Sequence, residues 1–347
     1  MRTSRIPVAA ALAAALLLLT ACAPGAGTTA SAPPASASPH ASVTPAEPVT
    51  ITIASLNGPT TMGLVKLMDD AKAGTAAENY VPTMYGSPDE VVPLIAQGKV
   101  DVALIPSNLA AVLYNKTKGT DAEIQVVAAN TLGVLDLVES GDTIKSVADL
   151  KGRTILISGK GASPEYILNY VLAKNGLTPG TNVTVEYLSE HTEVAARVAA
   201  EPGAIAVLPQ PLVTVVETKN PAVRTALSLT DEWATASNGS PLVMGVVVVR
   251  KAFAEENPAA FATFLTDYQA STAFTNAHPA EAAPLIVAAG IAPSDAVAEA
   301  AIPESNIVYL AGPELRQALG GFLDVLFAAN PKSVGGSVPG DDFYFGG

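Results

Sequence analysis

Cysteine is almost absent from this sequence. Cys22 is the single cysteine among 347 residues, so the chain has no second thiol for an internal disulfide, and thiolate zinc sites and cysteine-ligated iron–sulfur clusters are excluded. Histidine is also scarce, and His40, His191 and His278 are too scattered to indicate a metal site or an acid–base relay. We therefore expect no cofactor and no metal, and stability that comes from an apolar core.

Positive charge is scarce as well. The chain has 19 Lys and Arg against 32 Asp and Glu, which gives a formal net charge of −13 at pH 7. Such a surface repels polyanions, so the composition argues against nucleic acid as a partner and against docking on anionic lipid. It does not exclude a small charged ligand, because the local charge of a pocket can differ in sign from the net charge of the protein.

Long apolar runs are missing after the N-terminal segment. Arg2 and Arg5 precede an apolar run over residues 8–19, which is too short to span a bilayer as a permanent helix. A basic start, a short apolar stretch and small residues before a cleavage site predict a secretory signal peptide over residues 1–21.

The end of that segment, Leu19-Thr20-Ala21-Cys22, has two interpretations. One is a plain signal peptide beside an incidental cysteine. The favoured one is that it resembles the lipobox of bacterial lipoproteins, in which the cysteine is acylated and becomes the new N-terminus. It implies a lipidated Cys22 and an extracytoplasmic protein anchored to the bacterial cell membrane. Residues 22–48, rich in Ala, Ser, Pro, Thr and Gly, are then a disordered tether.

Short β-rich runs alternate with amphipathic helical stretches from Val49 onward, which predicts an α/β protein with largely parallel sheets. Helix-start signals such as Ser87-Pro88-Asp89-Glu90 support this pattern. The predicted strands are Val49–Ser55, Val81–Tyr85, Val102–Ile105, Gln125–Ala129, Thr154–Ser158, Val183–Tyr187, Ile205–Leu208 and Leu242–Val249.

The sequence also repeats itself at an offset of 103 residues, where segment 51–64 matches 154–167 and segment 102–109 matches 205–212. The repeat predicts two Rossmann-like lobes with parallel-rich sheets, joined by a two-strand hinge. We expect lobe 1 to comprise residues 49–134 and 243–347, and lobe 2 to comprise residues 135–242. Gly133 and Gly245 are placed in the hinge, either to absorb backbone rotation or for close packing.

Ligands of open parallel sheets bind beyond the carboxyl ends of the strands, where the repeated loops fall. These loops are rich in glycine, hydroxyls and amides, and helix-start N–H groups there favour an anion or a carbonyl oxygen. Tyr85 and Trp233 are candidates to stack on a flat ligand, although Trp233 is more typical of a loop anchor. His191 is as consistent with a ligand donor as with a solvated helix start. The candidate loop residues are Asn57, Thr60, Thr61, Ser107, Asn108, Lys160, Gly161, Ser163 and Gln210.

Enzyme motifs are not supported. The segment from Gly159 to Pro164 imitates a dinucleotide-binding motif, but Pro164 replaces its third glycine. No G-x-S-x-G elbow occurs. Lys160, Glu190 and His191 are the only conceivable catalytic trio, so we expect a binding protein rather than an enzyme.

Three segments carry a family resemblance: Asp101 with residues 102–108, residues 146–153 and residues 205–211. They resemble the solute-binding proteins of ABC importers in the nitrate/sulfonate/taurine class, with the type II periplasmic-binding-protein fold. The resemblance implies a monomer that hands a small polar or anionic organic solute to a membrane permease and its ATPase. It leaves open a thiamine-precursor pyrimidine as ligand, or a sensor role. The ligand contacts that it implies are Asn57, Thr60, Thr61, Ser107, Asn108, Thr131, Lys160, Ser163, His191 and Gln210.

Overall fold

The structure is a computed structural model that describes residues 47–346. The predicted signal peptide, Cys22 and nearly all of the predicted tether lie outside the described residues. Within residues 47–346, no helix is long and apolar enough to cross a membrane.

Among the described residues, six strands form one sheet and five form another. The order is β11-β4-β10-β3-β1-β2 in the larger sheet and β7-β6-β8-β5-β9 in the smaller one. The strands are β1 Thr50–Leu56, β2 Asn79–Tyr85, β3 Val102–Pro106, β4 Ile124–Thr131, β5 Leu135–Ser140, β6 Thr154–Ser158, β7 Thr184–Leu188, β8 Ile205–Pro209, β9 Val223–Ser228, β10 Gly245–Arg250 and β11 Ile307–Leu310.

Most strands of each sheet share one direction. In the larger sheet β1 to β4 run one way, while β10 and β11 are antiparallel to their neighbours. In the smaller sheet only β5 runs against the rest. The predicted fold class, α/β with two parallel-rich sheets, is confirmed.

Helices cover both sheets and connect most successive strands, the exceptions being β4–β5 and β5–β6. Short 3-10 turns lie at Val147–Leu150, Pro303–Ser305, Pro331–Val334 and Asp341–Phe343. The α-helices are α1 Pro59–Met62, α2 Val65–Ala73, α3 Pro88–Ala96, α4 Ser107–Thr117, α5 Ser163–Lys174, α6 His191–Ala200, α7 Leu212–Lys219, α8 Leu229–Ala236, α9 Lys251–Glu256, α10 Pro258–Ala277, α11 Pro279–Ala288, α12 Asp295–Ala301 and α13 Gly312–Ala329.

The repeat in the sequence corresponds to a repeat in the topology. The order β2-β1-β3 in the larger sheet matches β7-β6-β8 in the smaller, and an antiparallel strand follows in each, β10 and β5 respectively. We propose that the larger sheet with its helices is lobe 1 (residues 49–134 and 243–347) and that the smaller sheet with its helices is lobe 2 (residues 135–242). The chain passes between the sheets once after β4 and once before β10.

The two glycines at these crossings, Gly133 and Gly245, lie so close to neighbouring side chains that no Cβ fits there. A Cβ on Gly133 would lie under 3.0 Å from the side chain of Thr230, and one on Gly245 would collide with Asn130. Neither glycine has the positive φ that would require its conformational freedom. Of the two roles considered for them, close packing is therefore the one that the structure supports.

Trp233 is fully buried between the lobes, not placed on a surface loop or in a ligand site. Its ring lies 4.9 Å from Tyr170 of α5 and 5.2 Å from Phe322 of α13, centroid to centroid. Its indole N–H donates to the carbonyl oxygen of Ser240 at 2.9 Å. This aromatic cluster joins the cores of the two lobes.

Candidate functional site

A cleft of about 450 Å³ lies between the lobes, beyond the carboxyl ends of strands from both sheets. This is the position at which open α/β sheets bind ligands, and the volume is within the range of sites for small organic molecules. The lining residues are Leu56, Asn57, Pro59, Thr60, Gly86, Ser87, Pro88, Asp89, Pro106, Leu109, Thr131, Val134, Leu135, Ser158, Gly159, Lys160, Gly161, Ala162, Pro164, Tyr187, Leu188, Ser189, Glu190, His191, Pro209 and Met244.

Lobe 1 contributes three of the predicted ligand residues to the lining, namely Asn57, Thr60 and Thr131. The backbone N–H of Asn57 donates to Tyr85 at 2.8 Å, which extends the β1–β2 pairing to the rim of the cleft. The Thr60 hydroxyl donates to the carbonyl oxygen of Leu56 at 3.2 Å, and the Thr131 hydroxyl donates to Asn130 Oδ1 at 3.0 Å. The strand ends therefore fix these polar side chains at one wall.

Lobe 2 contributes Lys160 and Gly161 from the loop after β6. The Lys160 ammonium lies 5.5 Å from the centre of the Tyr187 ring, a cation–π distance. Tyr187 itself lines the cleft from the end of β7, and burial, followed by the neighbouring Glu165 carboxylate, raises the pKa of its hydroxyl. A neutral phenol and an exposed cation thus lie side by side.

His191 begins α6 and lines the cleft. Its Nδ1 lies 2.6 Å from the hydroxyl of Ser158, which is itself buried at the end of β6. Burial lowers the pKa of His191 to about 4, and the positive end of the helix dipole also disfavours a charged imidazole there. At neutral pH His191 is therefore a neutral hydrogen-bonding group.

Six predicted residues do not line this cleft, and Thr61, Tyr85 and Gln210 are three of them. Thr61 is fully buried, and its hydroxyl donates to Leu56 at 2.5 Å instead of facing the cleft. Tyr85 is half-buried and packs against the apolar core of the lobes. Gln210 lines a smaller adjoining cavity of about 70 Å³, where its Oε1 accepts hydrogen bonds from Thr214.

Ser107, Asn108 and Ser163 form a buried contact between the lobes and do not line the cleft. The Ser163 hydroxyl donates to Asn108 Oδ1 at 3.0 Å, and the Ser107 hydroxyl donates to the carbonyl oxygen of Val243 at 2.5 Å. Asn108 Nδ2 donates to Gly161 of lobe 2 at 3.2 Å and to Ser333 of lobe 1 at 3.0 Å. Their polar groups are satisfied by the protein itself.

Sequence reasoning missed several lining residues, notably Ser87, Asp89 and Tyr187, and it considered Glu190 only for an enzyme. The signal was present for two of them. Ser87 and Asp89 follow β2 as the candidate loops follow their own strands, but their sequence pattern also indicates a helix cap. Tyr187 lies near the end of its strand in lobe 2 much as Tyr85 ends β2 in lobe 1.

Three glutamates on the cleft side accept hydrogen bonds from N–H groups at or just before the N-caps of their helices. The Glu90 carboxylate accepts from Gly86 and Ser87, each at 3.1 Å, within the capping box of α3. Glu165 accepts from Gly161 at the start of α5, and Glu193 accepts from Ser189 at 3.1 Å at the start of α6. These N–H groups belong to residues at or just before each N-cap, so the first-turn N–H groups of α5 and α6, at Ser163, His191 and Thr192, take no part in these contacts.

Comparison with known proteins identifies the family. The family model for the phosphonate periplasmic substrate-binding protein of ABC transporters matches residues 71–298, which is more than half of the chain. No curated protein sequence matches the chain.

Solved structures share the fold, which is the type II periplasmic-binding-protein fold. An ABC transporter protein from Parabacteroides distasonis has a TM-score of 0.68 at 24% identity, covering 85% of this chain and 98% of that one. The aliphatic sulphonate binding protein SsuA of Escherichia coli has a TM-score of 0.63 at 18% identity, covering 84% of this chain and 91% of that one. The nitrate-binding protein NrtA of Synechocystis PCC 6803 has a TM-score of 0.60 at 12% identity, covering 83% of this chain and 84% of that one. The two-lobed fold, the cleft between the lobes and the matched family model together show that this chain belongs to the phosphonate family of periplasmic substrate-binding proteins of ABC transporters, which are transport proteins and not enzymes.

Proposed function

We propose that the protein captures a small polar organic solute in the cleft and delivers it to the permease of an ABC importer. The observation that carries the proposal is the cleft itself, which both lobes line with polar and apolar side chains. A binding protein of this family has a small-molecule ligand and a permease with its ATPase as partners. The structural relatives named for sulphonate and nitrate make small oxyanion-bearing compounds the first ligands to test.

The size of the cleft favours an organic solute over a bare inorganic anion. A volume of about 450 Å³ far exceeds the ~30 Å³ that one water occupies in the liquid. Leu56, Leu109, Val134 and Met244 add an apolar part to the lining, against which the body of an organic molecule can pack.

A thiamine-precursor pyrimidine is the second candidate. Neither Tyr85 nor Trp233 lies in the cleft, but Tyr187 does, and its ring offers a face for a flat heterocycle. The pyrimidine proposal therefore depends on Tyr187.

A thermal-shift panel tests the proposed function. Nitrate, alkanesulfonates, alkylphosphonates, amino acids and aminopyrimidines are each added to residues 47–347 produced without a tag. A ligand at one hundred times its dissociation constant stabilises the folded state by about 2.7 kcal/mol, which a melting curve resolves. Stabilisation by one compound class supports capture of that class, and no shift with any member at 10 mM (~ten times a millimolar dissociation constant) contradicts the proposal.

We further propose that Cys22 carries lipid and that the protein works as a monomer, tethered outside the cytoplasm by residues 23–48. The support is the sequence Leu19-Thr20-Ala21-Cys22 after an apolar run. Cys22→Ala should release the protein from the membrane fraction, whereas Thr20→Ala should not. Retention of the Cys22→Ala protein on washed membranes would contradict the anchor.

A further inference from the structure

The charged groups that line the cleft are two carboxylates and one ammonium. Asp89 comes from lobe 1, and Lys160 and Glu190 come from lobe 2, while no arginine in the described part of the chain lines the cleft. His191 is neutral at pH 7, as its lowered pKa requires. This lining is the opposite of what a doubly charged oxyanion needs, because such anions are bound by Arg, Lys and free N–H groups.

None of these three charges is neutralised by the protein. The ion pairs found within residues 47–346 do not include Asp89, Lys160 or Glu190. Removing an unpaired charge from water is costly unless an opposite charge replaces the water. All three side chains are exposed, so a ligand that covers them displaces their water, and a cation facing the carboxylates with an acid oxygen facing Lys160 offsets that cost.

Lys160 and Glu190 follow neighbouring strands of lobe 2. Ser158 and Leu188 are paired at the ends of neighbouring strands β6 and β7, and Lys160 and Glu190 each follow two residues later. The two opposite charges thus leave adjacent strands at the same edge of the sheet.

Glu190 also reaches lobe 1. A Cβ built on Gly86 would lie 2.8 Å from Glu190 Oε1, so the carboxylate approaches the backbone just before α3, the helix that carries Asp89. Glu190 lines both the main cleft and the smaller adjoining cavity. One side of the cleft, where β2 and β7 end, is therefore acidic on both lobes.

The helix starts reinforce this polarity. Glu90, Glu165 and Glu193 accept from the N–H groups of Gly86, Gly161 and Ser189, just before α3, α5 and α6. Three further carboxylates therefore lie beside these helix starts, and their charge opposes a second anion there.

We propose that the cleft selects zwitterionic organic solutes: a protonated amine of the ligand faces Glu190 and Asp89, and a singly charged acid group of the same molecule faces Lys160. The inference rests on the proposed function, because it concerns the ligand of the same cleft. It excludes simple nitrate, alkanesulfonates and alkylphosphonates as the preferred cargo, although they share the acid group.

Matched pairs of compounds test the inference by isothermal titration calorimetry. The pairs are γ-aminobutyrate with butyrate, taurine with ethanesulfonate, and 2-aminoethylphosphonate with ethylphosphonate; butylamine tests the amine without the acid. In at least one pair the aminated member should bind tenfold or more tightly than its partner, about 1.4 kcal/mol, and more tightly than butylamine.

Two charge-removing variants locate the effect. Glu190→Gln should reduce that preference for the amine by about tenfold or more (roughly 1.4 kcal/mol), and Lys160→Met should reduce the preference for the acid. Asp69→Asn, which removes one carboxylate from the exposed surface of α2, is the control and should leave both preferences unchanged.

The possible outcomes distinguish the zwitterion inference from the proposed capture function. Tighter binding of ethylphosphonate, ethanesulfonate or butyrate than of the aminated partners overturns the zwitterion inference and leaves the proposed capture function standing. An amine preference that Glu190→Gln does not change overturns it as well. Failure of every compound in both this series and the thermal-shift panel overturns the inference together with the proposed function.

Discussion

Asn108 of lobe 1 donates a hydrogen bond from Nδ2 to the carbonyl oxygen of Gly161 in lobe 2, 3.2 Å away. The side chain is fully buried and also accepts from the Ser163 hydroxyl. Gly161 lies in the loop that brings Lys160 to the cleft. The contact therefore links the position of a cleft wall to the relative placement of the lobes.

Asn108→Ala should weaken both folding and ligand binding. Loss of a buried amide that makes three hydrogen bonds leaves its partners unsatisfied, at a cost of about 1–3 kcal/mol in unfolding free energy. Asn115→Ala is the matched control, because Asn115 donates only within lobe 1, to Val334 and Ser337. Denaturant unfolding should show a loss for both variants, whereas titration of the best panel compound should show weaker binding for Asn108→Ala alone. Equal affinity of the two variants would show that the contact between the lobes does not support the cleft.

His191 should make the protein less stable as the pH falls below about 6.5. The folded-state pKa of about 4 lies below the ordinary histidine value of 6.5, so the unfolded chain binds more protons between these values. The stability lost over that interval is at most about 3 kcal/mol. His191→Asn removes this titration, so the difference in melting temperature between it and the wild type should shrink from pH 7.5 to pH 5.0. A difference independent of pH would contradict a buried neutral imidazole.

Asp136 should have the opposite pH dependence. Burial first, and then the carboxylates of Glu217, Glu304 and Asp231, raise the pKa of Asp136 to about 6 from the ordinary aspartate value of 3.8. The folded state then binds more protons between these values, so stability is lost as the pH rises through that interval. Asp136→Asn should raise the melting temperature at pH 7.5, by an amount equivalent to no more than about 3 kcal/mol, and have little effect at pH 4.

An exposed acid in the same lobe serves as the control for Asp136. Asp142 pairs with Lys145 and Arg224, and the Lys145 hydrogen bond holds its pKa below the usual range. Asp142→Asn should not stabilise the protein at either pH. If it stabilised as much as Asp136→Asn, the gain would reflect net charge and not the buried position.

The C-terminal aromatic segment should contribute strongly to stability through one residue. Phe343 is fully buried with its ring 5.1 Å from Tyr114, whereas Phe345 is 42% exposed. Phe343→Ala should cost about 3–5 kcal/mol in unfolding free energy, and Phe345→Ala about 1 kcal/mol or less. Urea unfolding of both variants checks this, and similar losses for the two would mean that the segment is held by its backbone.

Much of the fold was predictable because local signals and the repeat agree. The strand Thr154–Ser158 and the capping box at Ser87 were predicted as they occur. The strand Leu135–Ser140 was missed, since its Glu139 looks like a surface residue in sequence. In the structure Glu139 is fully buried and accepts from Arg224 at 2.9 Å, a partner far along the chain.

The cleft was predictable in position but less so in composition. Asn57, Thr60, Lys160 and His191 line it, but Ser107, Asn108 and Ser163 have the same chemistry and lie instead in the contact between the lobes. Polar residues after a strand serve either purpose. Which one they serve depends on how the lobes meet, and the local sequence does not contain that information.

The central claim is that the cleft between the lobes holds the solute. It is tested most directly by blocking the cleft with a large side chain. Ser189 is exposed and lines the cleft, and Ala77 is exposed away from it. Calorimetry with the panel compound that gives the largest thermal shift should show binding reduced at least a hundredfold (about 2.7 kcal/mol) by Ser189→Trp and unchanged by Ala77→Trp. Undiminished binding by a folded Ser189→Trp protein would contradict the account.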